Sequence, residues 1–351
     1  MNIDKATKIR PGEELDAAKL NDFLNNKIPD FGEIIDISQF PGGFSNLTYL
    51  IKTDKNEYVL RRPPFGASAK GGHDMGREFR VLSLLKNAGF NKIPMPLCID
   101  ESGDVINGSF YVMQRLNGVI LRAKDAQNPA LTEGVMQQLC EKLVENFADL
   151  HNLDIDETGL AALGKPEGYV RRQVEGWIQR YKNSQTDDVP IMESVARWML
   201  NYQPREQKPA FLHNDYKFDN VVWNPEMTEI IGVLDWEMST VGDPLMDLGA
   251  ALAYWCEAKD PDFAKMFNLT WIKGCLTRRE VVEKYAALTG RDVSDIVFYY
   301  VFGSYKNAVI MQQIYARWKK GLTQDARFSE LIHGVFELSG MAMNAIKKNE
   351  I

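Results

Sequence analysis

Residues 212–247 read LHNDYKFDNVVWNPEMTEIIGVLDWEMSTVGDPLMD. Asp215 and Asn220 stand five residues apart on an irregular polar segment, and Asp235 follows the apolar run Ile230, Ile231, Gly232, Val233, Leu234. Between them Val221, Val222 and Trp223 lead into turn-forming residues 224–228, the pattern of a β-hairpin. In an antiparallel hairpin the start of the first strand lies beside the end of the second, so Asn220 and Asp235 are expected to be neighbours. An amide oxygen and a carboxylate form a sparse set of hard oxygen donors. Such a set suits Mg²⁺, which keeps several waters and shares its other positions with substrate phosphates. Asp215 is then left to act on a hydroxyl. A lone Asp-x-x-x-x-Asn is common by chance, and an isolated aspartate is often a turn residue bonding its own backbone. Spacing, hairpin and order together carry the reading.

The pattern resembles the catalytic loop of protein kinases, HRDxxxxN followed by a DFG-type aspartate, with His213, Asp215, Asn220 and Asp235 in the matching positions. HNDYKFDN, LDWE and GDPLMDL are more similar to the aminoglycoside phosphotransferase and choline kinase-like family, in particular to the phosphotransferase domain linked to acyl-CoA dehydrogenases. The resemblance implies an α+β, two-lobed protein-kinase-like fold. A small antiparallel-sheet lobe over residues 1–116 would bind nucleotide, and a large helical lobe over residues 117–351 would carry catalysis and the substrate site. It also implies ATP and Mg²⁺, with Asp215 accepting or orienting the proton of the acceptor hydroxyl and Asn220 and Asp235 as metal ligands. His213 and Asp247 would support the catalytic loop, a helix N-cap being an equal reading of Asp247.

Composition agrees with a soluble protein of this size. At 351 residues the chain exceeds a usual single core, so two domains are expected. A net charge of −7 argues against nonspecific nucleic-acid binding, which needs excess Lys and Arg to displace counterions. No apolar stretch approaches the roughly 18 residues of a membrane span, and the N-terminus lacks a signal-type apolar run. Cys98, Cys140, Cys256 and Cys275 are scattered, as reduced thiols of a cytoplasmic protein would be.

Upstream, a helix is expected over residues 13–26. Strands are expected on both sides of residues 41–46, where Gly42, Gly43, Ser45 and Asn46 would form the phosphate-covering loop of a kinase-like fold; a plain hairpin turn reads the same way. The next strand, YVLR, places Arg61 where kinase-like folds keep a phosphate-holding lysine. Arginine binds phosphate oxygens as well, but whether Arg61 or Arg62 faces inward depends on strand register. Glu78, early in a helix over residues 75–88, is the expected ion-pair partner, and a solvated helix-end glutamate the bland alternative. The strand over residues 110–114 runs into Arg115, Leu116 and Asn117, a hinge where Gln114 and Leu116 would meet adenine.

A long helix over residues 131–150 ends at His151, read as structural. Two helices over residues 168–204 precede the catalytic stretch, and no long activation segment follows Asp235, so the acceptor should be a small molecule rather than a peptide. The last third is helical, with Tyr299, Phe302, Tyr305 and Val309 as core. The expected activity is ATP- and Mg-dependent phosphoryl transfer to an alcohol. Arg61, Arg62, Arg115, Arg122, Lys124, Arg171 and Arg172 lean toward an anionic acceptor such as a hydroxyacyl-CoA. An aminoglycoside or choline-type kinase and an inactive, nucleotide-binding pseudokinase-like regulator are the alternatives. Arg61 in place of lysine, and Trp236 and Glu237 replacing the DFG phenylalanine and glycine, favour the regulator, while the intact Asp215, Asn220 and Asp235 argue against it. The sequence leaves the oligomeric state open.

Overall fold

A computed structural model of the protein describes residues 5–41, 46–65, 73–202, 204–323 and 325–351. In chain order its elements are α1 (Ala17–Lys27), β1 (Ile34–Gln39), β2 (Leu47–Thr53), β3 (Glu57–Arg62), α2 (Met75–Asn87), β4 (Pro96–Asp100), β5 (Phe110–Gln114) and α3 (Glu133–His151). There follow α4 (Tyr169–Ser184), α5 (Pro190–Asn201), β6 (Ala210–Leu212), β7 (Val221–Trp223), β8 (Ile230–Val233) and β9 (Thr240–Gly242). The chain ends with α6 (Pro244–Tyr254), a short α7 (Asp262–Lys265), α8 (Arg278–Thr289), α9 (Ile296–Lys319) and α10 (Leu331–Lys348). Two compact units emerge: residues 1–120 with 158–160 and 221–239, and residues 121–157 with 161–220 and 240–351.

The first unit is built on an antiparallel sheet in the order β1-β2-β3-β5-β4. Side chains alternate across a strand, and here the alternation sorts the sheet into two faces. Leu47, Tyr49 and Ile51 of β2, Tyr58 and Leu60 of β3, and Phe110 and Val112 of β5 form one apolar cluster with Leu20 and Leu24 of α1. Helix α1 begins at Ala17, four residues later than the sequence pattern suggests, because Asp16 takes the N-cap and accepts the Lys19 N–H at 3.1 Å. Helix α2 is capped in the same way by Asp74, and buries Val81, Leu82 and Leu85. The β7–β8 hairpin pairs Val221 with Val233, as its turn residues indicate. Asn224 Oδ1 accepts the Thr228 and Glu229 N–H groups to close that turn.

The second unit is helical apart from β6 and β9, which pair antiparallel from Ala210–Gly242 to Leu212–Thr240. Neither strand was expected, since three residues are too few to show a period of two. Helix α9 supplies the centre: Tyr299, Phe302, Tyr305 and Val309 are all buried, as their spacing requires. Helices α6 and α9 touch backbone to backbone. A Cβ on Gly249 would lie 2.0 Å from the Tyr299 carbonyl oxygen, and one on Gly303 2.1 Å from that of Gly249. Among the described residues no helix is long and apolar enough to cross a membrane. The four cysteines are free thiols.

Candidate active site

Period-two alternation settles which arginine of β3 does what. Arg62 shares its face with Tyr58 and Leu60. It is 2 % exposed and donates to the carbonyls of Pro63, Ile106 and Asn107. Arg61 points to the other face, where α2 lies. Its guanidinium meets three carboxylates: Glu78 at 3.2 Å, Asp235 at 2.8 Å and Glu237 at 3.2 Å. Glu78 is 3 % exposed and also takes a hydrogen bond from Tyr111, so it is no solvated helix-end residue. Burial pushes its carboxyl up, against the opposing pull of Arg61. Burial likewise disfavours the Arg61 charge, but Glu78 and Asp235 outweigh it and the guanidinium stays protonated.

Of the residues expected at the nucleotide, Gly42, Gly43 and Ser45 lie outside the described residues. Asn46 is buried, donating to Glu237 Oε2 at 3.2 Å, with its Oδ1 3.0 Å from His73 Nδ1. The Gln114 side chain is exposed and its backbone N–H goes to the Met95 carbonyl. Leu116, half-buried, follows the end of β5, and among the described residues its peptide N–H and C=O make no backbone hydrogen bond.

In the second unit, residues 213–220 form a tightly held loop. Asp247 lies in the first turn of α6, whose N-cap is Asp243; the Leu245 N–H donates to Asp243 at 2.9 Å. Fully buried, Asp247 accepts the backbone N–H of His213 at 2.6 Å and of Asn214 at 2.8 Å, and lies 3.2 Å from His151 Nε2. Burial would raise its carboxyl, but His151, His213 and these donors hold it below the usual range. An ionised carboxylate can only accept, so His151 Nε2 carries the proton and Nδ1 accepts from the Tyr285 hydroxyl at 2.7 Å. Burial pushes the His151 pKa down, so we take this ring as neutral and Asp247 as the charged partner.

Asp215 is reached from several sides. Its N–H donates to His213 Nδ1 at 3.2 Å, Lys217 Nζ lies 3.1 Å from its Oδ2, and the Tyr254 hydroxyl hydrogen-bonds to it. Asn220 Nδ2 donates to both the Asp215 carbonyl and Oδ2, each at 2.8 Å. Two acceptors on one side fix which end of the amide is nitrogen, and so turn Asn220 Oδ1 away as an oxygen donor.

Each unit presents one oxygen of the hard class that a divalent cation takes. Asn220 offers an oriented amide oxygen, and Asp235 a carboxylate that remains about a third exposed, at 34 %. Around Arg61, three carboxylates face one guanidinium, a formal excess of two negative charges.

Sequence reasoning passed over Lys217, Tyr254 and Lys306. Lys217 had a signal in its place two residues after Asp215. Lys306 had a subtler one, as the charged residue between Tyr305 and Asn307 in the apolar run of α9. Four of the seven basic residues read as favouring an anionic acceptor are otherwise employed. Arg61 meets carboxylates and Arg62 carbonyls, Arg115 lies over the Phe40 ring, and Arg171 is exposed and paired with Glu175. Their number therefore does not argue for an anionic acceptor.

The phosphotransferase enzyme family matches residues 36–282, a segment that takes in Arg61, Glu78, the loop at Asp215 and Asp235 to Asp247. Acyl-CoA dehydrogenase family member 11 of Rattus norvegicus is 31% identical over 330 residues, 92% of this chain and 42% of that protein. Family member 10 of Mus musculus is 32% identical over 297 residues, 83% and 27% respectively. The chain thus spans less than half the length of these relatives. A protein of Ralstonia eutropha classed as an aminoglycoside phosphotransferase superposes with a TM-score of 0.83 at 27% identity, covering 95% of this chain and 99% of that one. Choline kinase from Cryptosporidium parvum, at 13% identity, shares the fold with a TM-score of 0.64 over 95% and 97%. With a kinase-like α+β fold and a family match over most of its length, the chain belongs to the phosphotransferase enzyme family.

Proposed function

We propose that this chain transfers the γ-phosphate of ATP, with Mg²⁺, to the hydroxyl of a small molecule, and that the acceptor is a hydroxyacyl-CoA. The observation that carries the transfer reading is Asp215, a part-buried carboxylate whose loop is anchored at His213, Asn214 and Asn220. In this reading Asp215 takes the acceptor's proton as its oxygen bonds the γ-phosphorus, while the bond from phosphorus to the ADP oxygen breaks. Asn220 and Asp235 would hold Mg²⁺, which neutralises charge on the phosphate oxygens when bound. Arg61, kept charged by Glu78, retains a buried Nε–H with no partner among the described residues, a donor suited to a phosphate oxygen. The Leu116 peptide, which makes no backbone hydrogen bond among the described residues, suits the edge of adenine, and Gly42, Gly43, Ser45 and Asn46 would cover the phosphates.

The acceptor reading rests on the relatives: the proteins this chain matches are named as acyl-CoA dehydrogenases, and the match covers a minor part of their length. The test is an assay with Mg-ATP and Mg-GTP across hydroxyacyl-CoAs, the free hydroxy acids, amino alcohols and aminoglycosides. Turnover with the thioesters is expected. Turnover with cationic acceptors alone would sink the acyl-CoA reading and leave the phosphotransferase; nucleotide binding without any turnover would favour a regulator.

A further inference from the structure

Lys306 sits midway along α9, 3 % exposed, between core residues. A buried ammonium is unfavourable unless something at that point requires it. Its Nζ donates to the Asn214 carbonyl at 2.5 Å, and among the described residues no carboxylate lies within ion-pair distance. The centroid of the Trp177 ring of α4 lies 5.8 Å from that Nζ. Burial pushes the Lys306 pKa down, and the Asp215 and Asp247 charges oppose this.

What Lys306 holds is unusual backbone. Asn214 has φ +66°, a left-handed step that asparagine enters more readily than other non-glycine residues. Its own N–H is fixed by Asp247 of α6, and its side chain lies against the Tyr169 hydroxyl. The peptide that follows, whose plane sets the direction in which the Asp215 side chain leaves the chain, is held at both ends. Its C=O is bound by Lys306 and its N–H by His213 Nδ1. A carboxylate on one side of the step and an ammonium on the other leave that peptide little freedom to rotate.

We infer that Lys306 is a positioning residue for Asp215: the ammonium supplied by α9 clamps the Asn214 carbonyl and so fixes the aim of the catalytic carboxylate. This rests on the reading of Asp215 as the proton acceptor. The test uses the full chain with Lys306→Met, and with Lys306→Arg as the conservative variant that keeps charge and donors should Lys306→Met fold poorly. In Lys306→Met, backbone hydrogen exchange across residues 213–217 should rise by about tenfold or more while β1 to β5 are unchanged. Hydrolysis of Mg-ATP with water as acceptor should lose about tenfold in kcat at unaltered KM for Mg-ATP. Lys306→Arg should recover part of both. Unchanged exchange in the loop overturns the clamp, and so does faster exchange with unaltered kcat, because Lys306 would then be structural only. A wild-type chain that binds Mg-ATP but turns over with neither water nor any acceptor refutes the phosphotransfer reading instead, while loop exchange still decides the clamp.

Discussion

Asp215 and Asp235 are both carboxylates, yet replacing each by its amide should have opposite signatures. Asp215→Asn keeps the shape and can still accept from Asn220, so the loop should persist. What goes is the proton acceptor, and kcat should fall by about 10²–10⁴, the usual contribution of general acid–base catalysis. Calorimetry should show Mg-ATP affinity near that of the parent; a near-parental kcat would make Asp215 structural. Asp235→Asn removes one of the three carboxylates around Arg61 and the charged oxygen assigned to the metal. The Mg²⁺ dependence of nucleotide binding should weaken by at least about tenfold, the lower end of what losing a supporting group costs a metal site. A titration showing the same Mg²⁺ dependence in the variant would take Asp235 out of that role.

Between elements, the loop of residues 213–220 and helix α6 meet through Asp247, and this joint should be sensitive to acid. The Asp247 carboxyl lies below its ordinary value in the folded chain. Its stabilisation is therefore complete above the unfolded value, about pH 4, and disappears as pH falls through the depressed one. Asp247→Asn, which turns an amide N–H toward backbone donors, should lower stability at neutral pH by about 1–3 kcal/mol and flatten the acid limb of a pH–stability curve. An acid limb as steep as the parent's would place that proton uptake elsewhere. Elements were legible where a local rule decided them: the turn at Asn224, and the three- and four-residue spacing of Tyr299, Phe302, Tyr305 and Val309 in α9. They were illegible where the deciding partner is distant. Strands β6 and β9 exist because residues 210–212 and 240–242 find each other, and neither triplet announces that alone.

At the scale of the whole molecule, one 36-residue stretch of sequence is shared between the two compact units. The loop to Asn220 falls in the second, and the hairpin with Asp235 and Glu237 in the first. The family and the α+β fold could be read from that stretch because chemistry restricts residue types there. The acceptor could not. Counting arginines does not reveal that Arg61 is ringed by carboxylates or that Arg62 is bonded to carbonyls, since charge is neutralised by neighbours that only folding provides. Tyr254 and Lys306 escaped for a related reason: each works through a partner about 40 to more than 90 residues away in the chain.

The left-handed step at Asn214 gives this distance a practical meaning. Residues 212–220 look like a portable cassette, with the acid, the amide and their spacing all contained within nine positions. Yet the step before Asp215 is gripped by Asp247 and Lys306, on two helices that meet glycine to glycine at Gly249 and Gly303. Grafted onto another scaffold, the nine residues would bring the reactive groups and leave behind the vice that aims them. For anyone transplanting or redesigning this site, the smallest unit that can be moved is the loop together with the crossing of α6 and α9.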